Sequence, residues 1–363
     1  ADLRRASRAS PPEMRIGMIA PISHPFPPDG YGPWERVCHD LTEGLVELGH
    51  EVLVYAPEGS TTSAELRPTV PAPVSDALPH SSPDPRLWEE FHVATAVADA
   101  VRSGVDVVHS HLHVHALGYA PLLPVPLVST LHGSAWHRPH HLMLRAFRQE
   151  PFVSLSDAER NFLPELNYVA TVNNGIRTED FPPGPGGDRL IFVGRMAPEK
   201  APDLAVEVAR RAGRELVLVG GIEAQYAEFF RREVEPRLGG GIEYAGPVDR
   251  GEVASLTGES AALLMPLRWD EPFGLVVVES LAVGTPVVAW KRGAMPELID
   301  EGVTGFLVAD VAQAAEAVAS VAVLDREACR AVAESRFSYR VMAQGYVEAY
   351  RAALDGFPAD RQR

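Results

Sequence analysis

Two parallel β-sheets, each wrapped on both faces by helices, are what this sequence predicts: an α/β protein of two doubly wound units. Three observations carry that expectation. Short apolar runs of strand length alternate with helical stripes from Arg15 onward. The alternation breaks at Phe181-Pro-Pro-Gly-Pro-Gly-Gly187, a stretch too rich in Pro and Gly for either regular structure, and restarts at Leu190. The chain's 363 residues, 46% of them hydrophobic, are enough to fill two cores.

The elements follow in order. Ile16 to Ala20 reads as a strand, Trp34 to Leu48 as a helix and Glu51 to Ala56 as a second strand, together one βαβ unit. Trp34, Val37, Cys38, Leu41, Leu45 and Leu48 recur at helical spacing, and Gly49 stands where a helix stops. Pro57 to Pro85, rich in Pro and Ser, reads as a long surface excursion. A helix near Leu87 to Val101, strands at Val105 to His109 and Leu127 to Leu131, and weaker elements up to Val172 complete the first series. Past the break come strand Leu190–Val193, helix Asp203 to Ala212, strand Glu215 to Val219, helix Ala224 to Val234, strand Ile242 to Tyr244, a helix near Val253 and strand Ala262 to Met265. After Phe306 to Val308 the chain reads as helical to its end. Consecutive βα units imply parallel pairing.

Composition excludes several classes. Lys plus Arg number 33 against 49 for Asp plus Glu, a net charge of −16, the wrong sign for long-range attraction of nucleic acid. Cys38 and Cys329 are far apart on expected helices, which fits two free thiols in a reduced, cytoplasmic setting. The longest apolar run, Gly274 to Trp290, is cut by Glu279, Ser280, Gly284 and Pro286, so no membrane span is expected. Basic, apolar Arg138 to Arg148 reads as a surface helix, with peripheral membrane or acceptor contact as its alternative. Residues 1–13 lack an apolar core and read as a disordered leader.

The chemistry concentrates in a few motifs. Glu271-Pro-Phe-Gly-Leu-Val-Val-Val-Glu279 sets two carboxylates eight residues apart around a Gly. A Glu on a tight loop accepts hydrogen bonds from sugar hydroxyls, a Gly opening a helix leaves backbone N–H groups for phosphate, and the second Glu suits a ribose diol. Val193-Gly-Arg-Met-Ala-Pro-Glu-Lys200 places Arg195 and Lys200 five residues apart before a helix, able to clamp a diphosphate and offset leaving-group charge. The turn Pro28-Asp-Gly-Tyr-Gly-Pro33 lets backbone approach a pyrophosphate. His109-Ser-His-Leu-His-Val-His115 puts four imidazoles on one face if extended, a pattern also open to zinc. Ser129-Thr-Leu-His-Gly133 brings His132 to a strand's carboxyl end, where ligands of such sheets bind.

The Glu271-x7-Glu279 segment resembles the signature of family 4 retaining glycosyltransferases, and the resemblance extends over Met14 to Leu354, most closely from Val193 to Val308. It implies the GT-B fold: two Rossmann-like parallel-sheet domains facing a central cleft, with a C-terminal helix crossing back onto the first. The implied boundaries are 14–180 for an acceptor-side domain, 181–187 for a linker, 188–336 for the nucleotide-sugar domain and 337–363 for the crossover helix and tail. It makes Val276 to Val278 helical, where propensity alone reads strand. It implies transfer of a hexose from a nucleotide diphosphate sugar to an acceptor hydroxyl with retention and without a metal or other cofactor. Donor contacts fall to Gly32, Gly194, Arg195, Lys200, Glu271, Phe273, Gly274, Leu275 and Glu279, with backbone of Gly293 and Ala294. His132, Arg195, Lys200 and Glu271 carry the chemistry, and Tyr31, His109, His111 and His113 flank the acceptor. Pro33 stands where the family has a second Gly, which removes one N–H donor. The alternatives are a sugar-nucleotide epimerase of the same fold and a zinc hydrolase using the His109–His115 run.

Overall fold

The computed structural model describes residues 13–30, 32–77 and 85–361. Seven strands form the first sheet: β1 Arg15–Ile19, β2 Glu51–Pro57, β3 Glu65–Val70, β4 Val107–Ser110, β5 Leu127–Thr130, β6 Phe152–Ser154 and β7 Tyr168–Thr171. All pairings are parallel, in the order β3-β2-β1-β4-β5-β6-β7. Six strands form the second: β8 Leu190–Val193, β9 Leu216–Val219, β10 Ile242–Gly246, β11 Ala262–Met265, β12 Val287–Trp290 and β13 Gly305–Val308, ordered β10-β9-β8-β11-β12-β13 and again parallel. In each sheet the order reverses beside the first strand, which leaves a crevice at the carboxyl ends.

The strands are apolar on both faces because both faces are covered. Ile16, Met18, Val52, Val54 and Val107 pack under helix Pro33–Glu47, while Ile19, Leu53, Tyr55 and Val108 pack under helix Pro85–Ser103. The second sheet divides likewise, Ile191, Val217, Leu263 and Val287 to one core and Leu190, Leu216, Ala262 and Val288 to the other. Helix Tyr339–Asp355 crosses back to the first sheet and buries Tyr339, Met342, Ala343, Tyr346 and Tyr350 in its core. Gly44 makes that crossing possible, since a Cβ there would lie 2.8 Å from Ala343 Cβ.

Four expectations change. The surface excursion contains β3 and a short helix, Val74–Ala77; residues 78–84 lie outside the described set. Pro68 disguised this strand, but β3 is an edge, where a missing N–H breaks no inner ladder. The helix expected over Ala224 to Val234 is a broken run: a 3-10 turn at Ala224–Tyr226, a short α-turn at Ala227–Phe229 and a π-turn at Phe230–Val234. The first helix does not bury its whole apolar stripe, for Trp34 and Leu48 at its two ends are each 41% exposed. Arg138 to Arg148 resolves into a 3-10 turn, Arg138–His140, and helix His141–Ala146.

Of the expected leader only Glu13 is described. The Pro- and Gly-rich segment 181–187 lies against the second unit: Phe181 is buried in its core, Gly184 N–H donates to the Val283 carbonyl at 3.0 Å, and a Cβ on Gly184 would strike the Gly258 backbone at 2.2 Å. Cys38 and Cys329 are buried free thiols. Among the described residues no helix is long and apolar enough to cross a membrane.

Candidate active site

The carboxyl ends of the two sheets meet around one cleft, and the elements that touch across it are short. Ser156 Oγ donates to the Pro272 carbonyl at 2.7 Å, and the N–H groups of Asp157 and Ala158 each donate at 2.8 Å to the Glu297 carboxylate. Trp136 and Trp269 meet edge to face with ring centres 5.3 Å apart. Gly133 approaches Pro272 so closely that a Cβ would lie 3.1 Å from its ring.

On the first sheet, β4 ends at Ser110, and the following residues turn instead of continuing extended. The four imidazoles therefore do not share a face. His109 is fully buried and both its ring nitrogens are taken, Nδ1 by Tyr350 OH and Nε2 by Thr130 Oγ1, each at 2.8 Å. Thr130 Oγ1 also bonds Tyr346 OH at 2.8 Å. His109 thus ties the strands to the crossover helix and does not face an acceptor. His115 pairs with Glu89 at 3.4 Å. His113, with a positive φ of 50°, turns back so that Nδ1 meets the Leu131 carbonyl at 3.1 Å. Among the described residues no group of three or more His, Cys, Asp or Glu is placed to hold a metal ion, which removes the geometry a zinc hydrolase needs.

His111 does reach the cleft's strand ends. Its Nδ1 shares a 2.8 Å hydrogen bond with His132 Nε2. Both rings are buried, and the outer nitrogens, His111 Nε2 and His132 Nδ1, meet no protein partner among the described residues. Burial, with the neighbouring imidazoles adding to it, pushes both well below the ordinary histidine range, and burial plus His132 takes His109 down to about 3. These are neutral rings, suited to hydrogen bonding more than to accepting a proton.

His132 has a left-handed φ of 47°, unusual for a residue with a side chain. Glu159 braces the turn by accepting from Gly133 N–H at 2.6 Å and Leu155 N–H at 2.8 Å. Burial raises that carboxyl to about 7 against the opposing pull of its two N–H donors. Gly32 caps the first helix at φ 152°, where a Cβ would lie 2.8 Å from Pro28 Cβ; Pro33 occupies the first helical position, where a missing N–H is harmless. Tyr31, expected on the acceptor side, lies outside the described residues.

On the second sheet, Lys200 Nζ donates to Glu271 Oε2, and Trp269 Nε1 donates to the same oxygen at 3.0 Å. The ammonium lies 4.8 Å from the centre of the Trp269 ring. Arg195 is paired with Glu199 and Glu223, each at 3.2 Å, rather than facing Lys200 across an open space. Gly274, at φ 106°, opens helix Leu275–Ala282, with Leu275 partly buried between the two units' cores and Glu279 partly exposed on the same helix. Burial lifts Glu279 to about 7, opposed by Arg250 and Arg36; Arg250 Nε is 4.0 Å from Oε1.

Four expected donor contacts have other work. Phe273 is only 2% exposed and packs against Phe337 in the core. Gly194 N–H is donated to the Val219 carbonyl at 2.9 Å. Ala294 N–H is donated to the Glu271 carbonyl at 2.9 Å, and Gly293 is small because a Cβ would strike Glu271 N at 2.5 Å; the pair holds Glu271's backbone. Sequence reasoning passed over Trp269, Glu159 and Arg250. Trp269, two residues before Glu271, was within reach of the motif; the others carry no local pattern.

The profile of the family described as Glycosyltransferase Family 4 matches residues 34–180, and that of Glycosyl transferases group 1 matches residues 187–322. The chain is 28% identical to glycogen synthase of Mycobacterium tuberculosis over 94% of its own length and 96% of that protein's. Sucrose-phosphate synthase of Thermosynechococcus elongatus superposes with a TM-score of 0.74 at 20% identity, covering 93% of this chain and 98% of that one. HepE of Anabaena, solved in complex with UDP and glucose, superposes with a TM-score of 0.68 at 18% identity over 93% and 99% of the two chains.

Proposed function

The chain belongs to family 4 of the glycosyltransferases, GT-B enzymes that move a sugar from a nucleotide sugar with retention of configuration, and from that premise we propose how its residues divide the work. The transferred group is a hexose carried on a nucleoside diphosphate, in keeping with the glycogen synthase relative and the UDP and glucose held by HepE. The second domain, 188–336, takes the donor, and the first, 14–180, presents the acceptor hydroxyl. Both would work in the cytoplasm.

One observation carries the assignment. Lys200 and Glu271, 71 residues apart in sequence, meet at the cleft immediately before the Gly274-opened helix that carries Glu279. Lys200 and Glu271 come from separate loops, so the contact is a product of the fold. Glu271 keeps Oε1 for sugar hydroxyls while Oε2 takes Lys200 and Trp269. The N-terminal N–H groups of the helix suit the diphosphate, and Glu279 suits the ribose diol. Lys200 and Arg195, the latter exchanging Glu199 and Glu223 for phosphate oxygens, offset charge on the leaving diphosphate.

The bond from the anomeric carbon to the diphosphate oxygen breaks and the bond to the acceptor oxygen forms on the same face. The acceptor proton passes to the departing diphosphate, so no protein base is required. His132, a weak base by burial, positions the sugar. The test is incubation with UDP-, ADP-, GDP- and dTDP-hexoses, with and without alcohols, reading product anomers by proton NMR. An α-linked donor yields an α-linked product; a β-linked product, or altered sugar without acceptor, refutes the proposal.

A further inference from the structure

The chain passes between the two units twice, and the passes run side by side: Ile176 N–H donates to the Phe337 carbonyl and Tyr339 N–H to the Ile176 carbonyl, each at 2.9 Å. Such a paired crossing fixes where the units join. It leaves their opening about that line to be set by contacts across the cleft.

Segment 155–159 of the first unit is bonded to both walls of the cleft at once. Glu159 accepts from Gly133 N–H at 2.6 Å and from Leu155 N–H at 2.8 Å, which fixes the segment to the turn that carries His132. Ser156 Oγ donates at 2.7 Å to the carbonyl of Pro272, the residue after Glu271. Glu297 reaches over from the second unit, and its two carboxylate oxygens each accept one N–H, from Asp157 and from Ala158, at 2.8 Å. Its backbone is held from behind: Arg336 Nη2 donates to the Glu297 carbonyl at 2.5 Å, and Glu297 N–H donates to the Ala294 carbonyl at 2.9 Å. Ala294 in turn gives its N–H to the Glu271 carbonyl at 2.9 Å. A short relay of hydrogen bonds therefore runs from the His132 turn through Glu159 and Glu297 to the Glu271 loop. The link at Glu297 is two-pronged, so it fixes direction as well as distance, which the single hydroxyl bond of Ser156 does not.

Resting on the glycosyltransferase reading, we propose that Glu297 is a positioning residue for transfer: by gripping the Asp157 and Ala158 N–H groups it sets the separation between His132 and Glu271, both of which hold the transferred sugar. Its own carboxylate is committed to protein and touches no substrate. A misplacement of about 1 Å costs about 10²-fold in rate. Nitroxide labels at Leu122→Cys and Val323→Cys, 78% and 83% exposed on the two units, report the separation by pulsed electron resonance; Cys38 and Cys329 are buried and take no label. Wild type gives one narrow distance distribution. Glu297→Ala broadens or lengthens it and lowers kcat by about 10- to 100-fold with the donor and alcohol that the anomer screen finds active. It leaves UDP, ADP and GDP affinities within about threefold of wild type, since the Gly274-opened helix and Glu279 lie wholly in the second unit. If Glu297→Ala fails to fold, Glu297→Gln, of the same shape and with one acceptor oxygen left, shows the same changes at smaller size. The inference is overturned if the distribution is unchanged, if it changes and kcat stays within about threefold of wild type, or if nucleotide affinity falls in step with kcat. A wild type that binds no nucleotide, or transfers with no donor and alcohol pair, refutes the glycosyltransferase reading instead, and the label distances still decide whether Glu297 holds the cleft.

Discussion

Replacing Lys200 with Met keeps the aliphatic stem against Trp269 and removes only the charge. In the native protein the ammonium donates to Glu271 Oε2, and the two side chains are 19% and 11% exposed. Without it the carboxylate retains the Trp269 N–H at 3.0 Å but has lost its cation. Stranding one member of a buried pair costs about 3–5 kcal/mol, and the remaining solvent access with the indole donor puts this case at about 3 kcal/mol. Urea denaturation reads that loss. Turnover is expected to fall by a different route: removing one preorganised contact to a developing oxyanion costs about 10²- to 10³-fold in kcat. The double variant Lys200→Met with Glu271→Gln separates the two, because it removes the stranded charge without restoring the phosphate contact. Stability should return most of the way, and turnover should not. If Lys200→Met turns over within about threefold of wild type, or if the double variant recovers activity, Lys200 is only the counter-ion of Glu271 and the diphosphate assignment is wrong.

Three further expectations follow from the cleft and its supports. Glu279→Gln should weaken nucleoside diphosphate binding by about 1.5–3 kcal/mol, the value of a hydrogen bond to a charged group. Since burial holds Glu279 near 7, wild-type affinity should strengthen more than the variant's as pH rises from 6 to 8, the terminal phosphate's own titration being common to both; calorimetry at both pH values checks this. Thr130→Val removes the hydroxyl shared by His109 Nε2 and Tyr346 OH, both buried, and should cost about 2–5 kcal/mol by stranding two polar groups, read as a lower urea midpoint. Glu159 binds its proton more tightly folded, near 7, than unfolded, near 4.5, so stability falls as pH rises between those values and the deficit is complete above 7, at about 3 kcal/mol. Glu159→Gln also loses one N–H acceptor, a pH-independent loss. The diagnostic is therefore the difference in slope of stability against pH between wild type and variant from 4.5 to 7, since Glu35, Glu279 and the buried histidines contribute alike to both; an unchanged slope would place Glu159's ionisation elsewhere.

Much of the architecture was legible because parallel sheets buried on both faces leave a coarse signal. Apolar runs such as Leu190–Val193 and Ala262–Met265 are strands wherever helices cover both sides. The donor motif was legible for a related reason: Glu271, Gly274 and Glu279 lie in one short segment whose loop and helix are local structures. The same residues also show the limit. Val276 to Val278 are β-branched and favour a strand by propensity, yet they continue the helix opened by Gly274, and only the family resemblance indicated it.

By itself the sequence determined what local patterning can encode: two βα series, the acidic surface, the signature segment, and the turns at Gly32 and Gly274. Tertiary structure decided which groups are spent and which remain available. His109 and His111 are two residues apart in one motif, but the end of β4 and the crossover helix turn the first into a scaffold bonded to Tyr350 and Thr130 and leave the second paired to His132. Phe273 became core, and the Ala294 N–H went to Glu271. Trp34, on a stripe that periodicity would bury, is 41% exposed at the start of its helix. Hydrogen-bond partners and burial depend on residues far away in sequence, 241 positions between His109 and Tyr350, and that distance is closed only by packing.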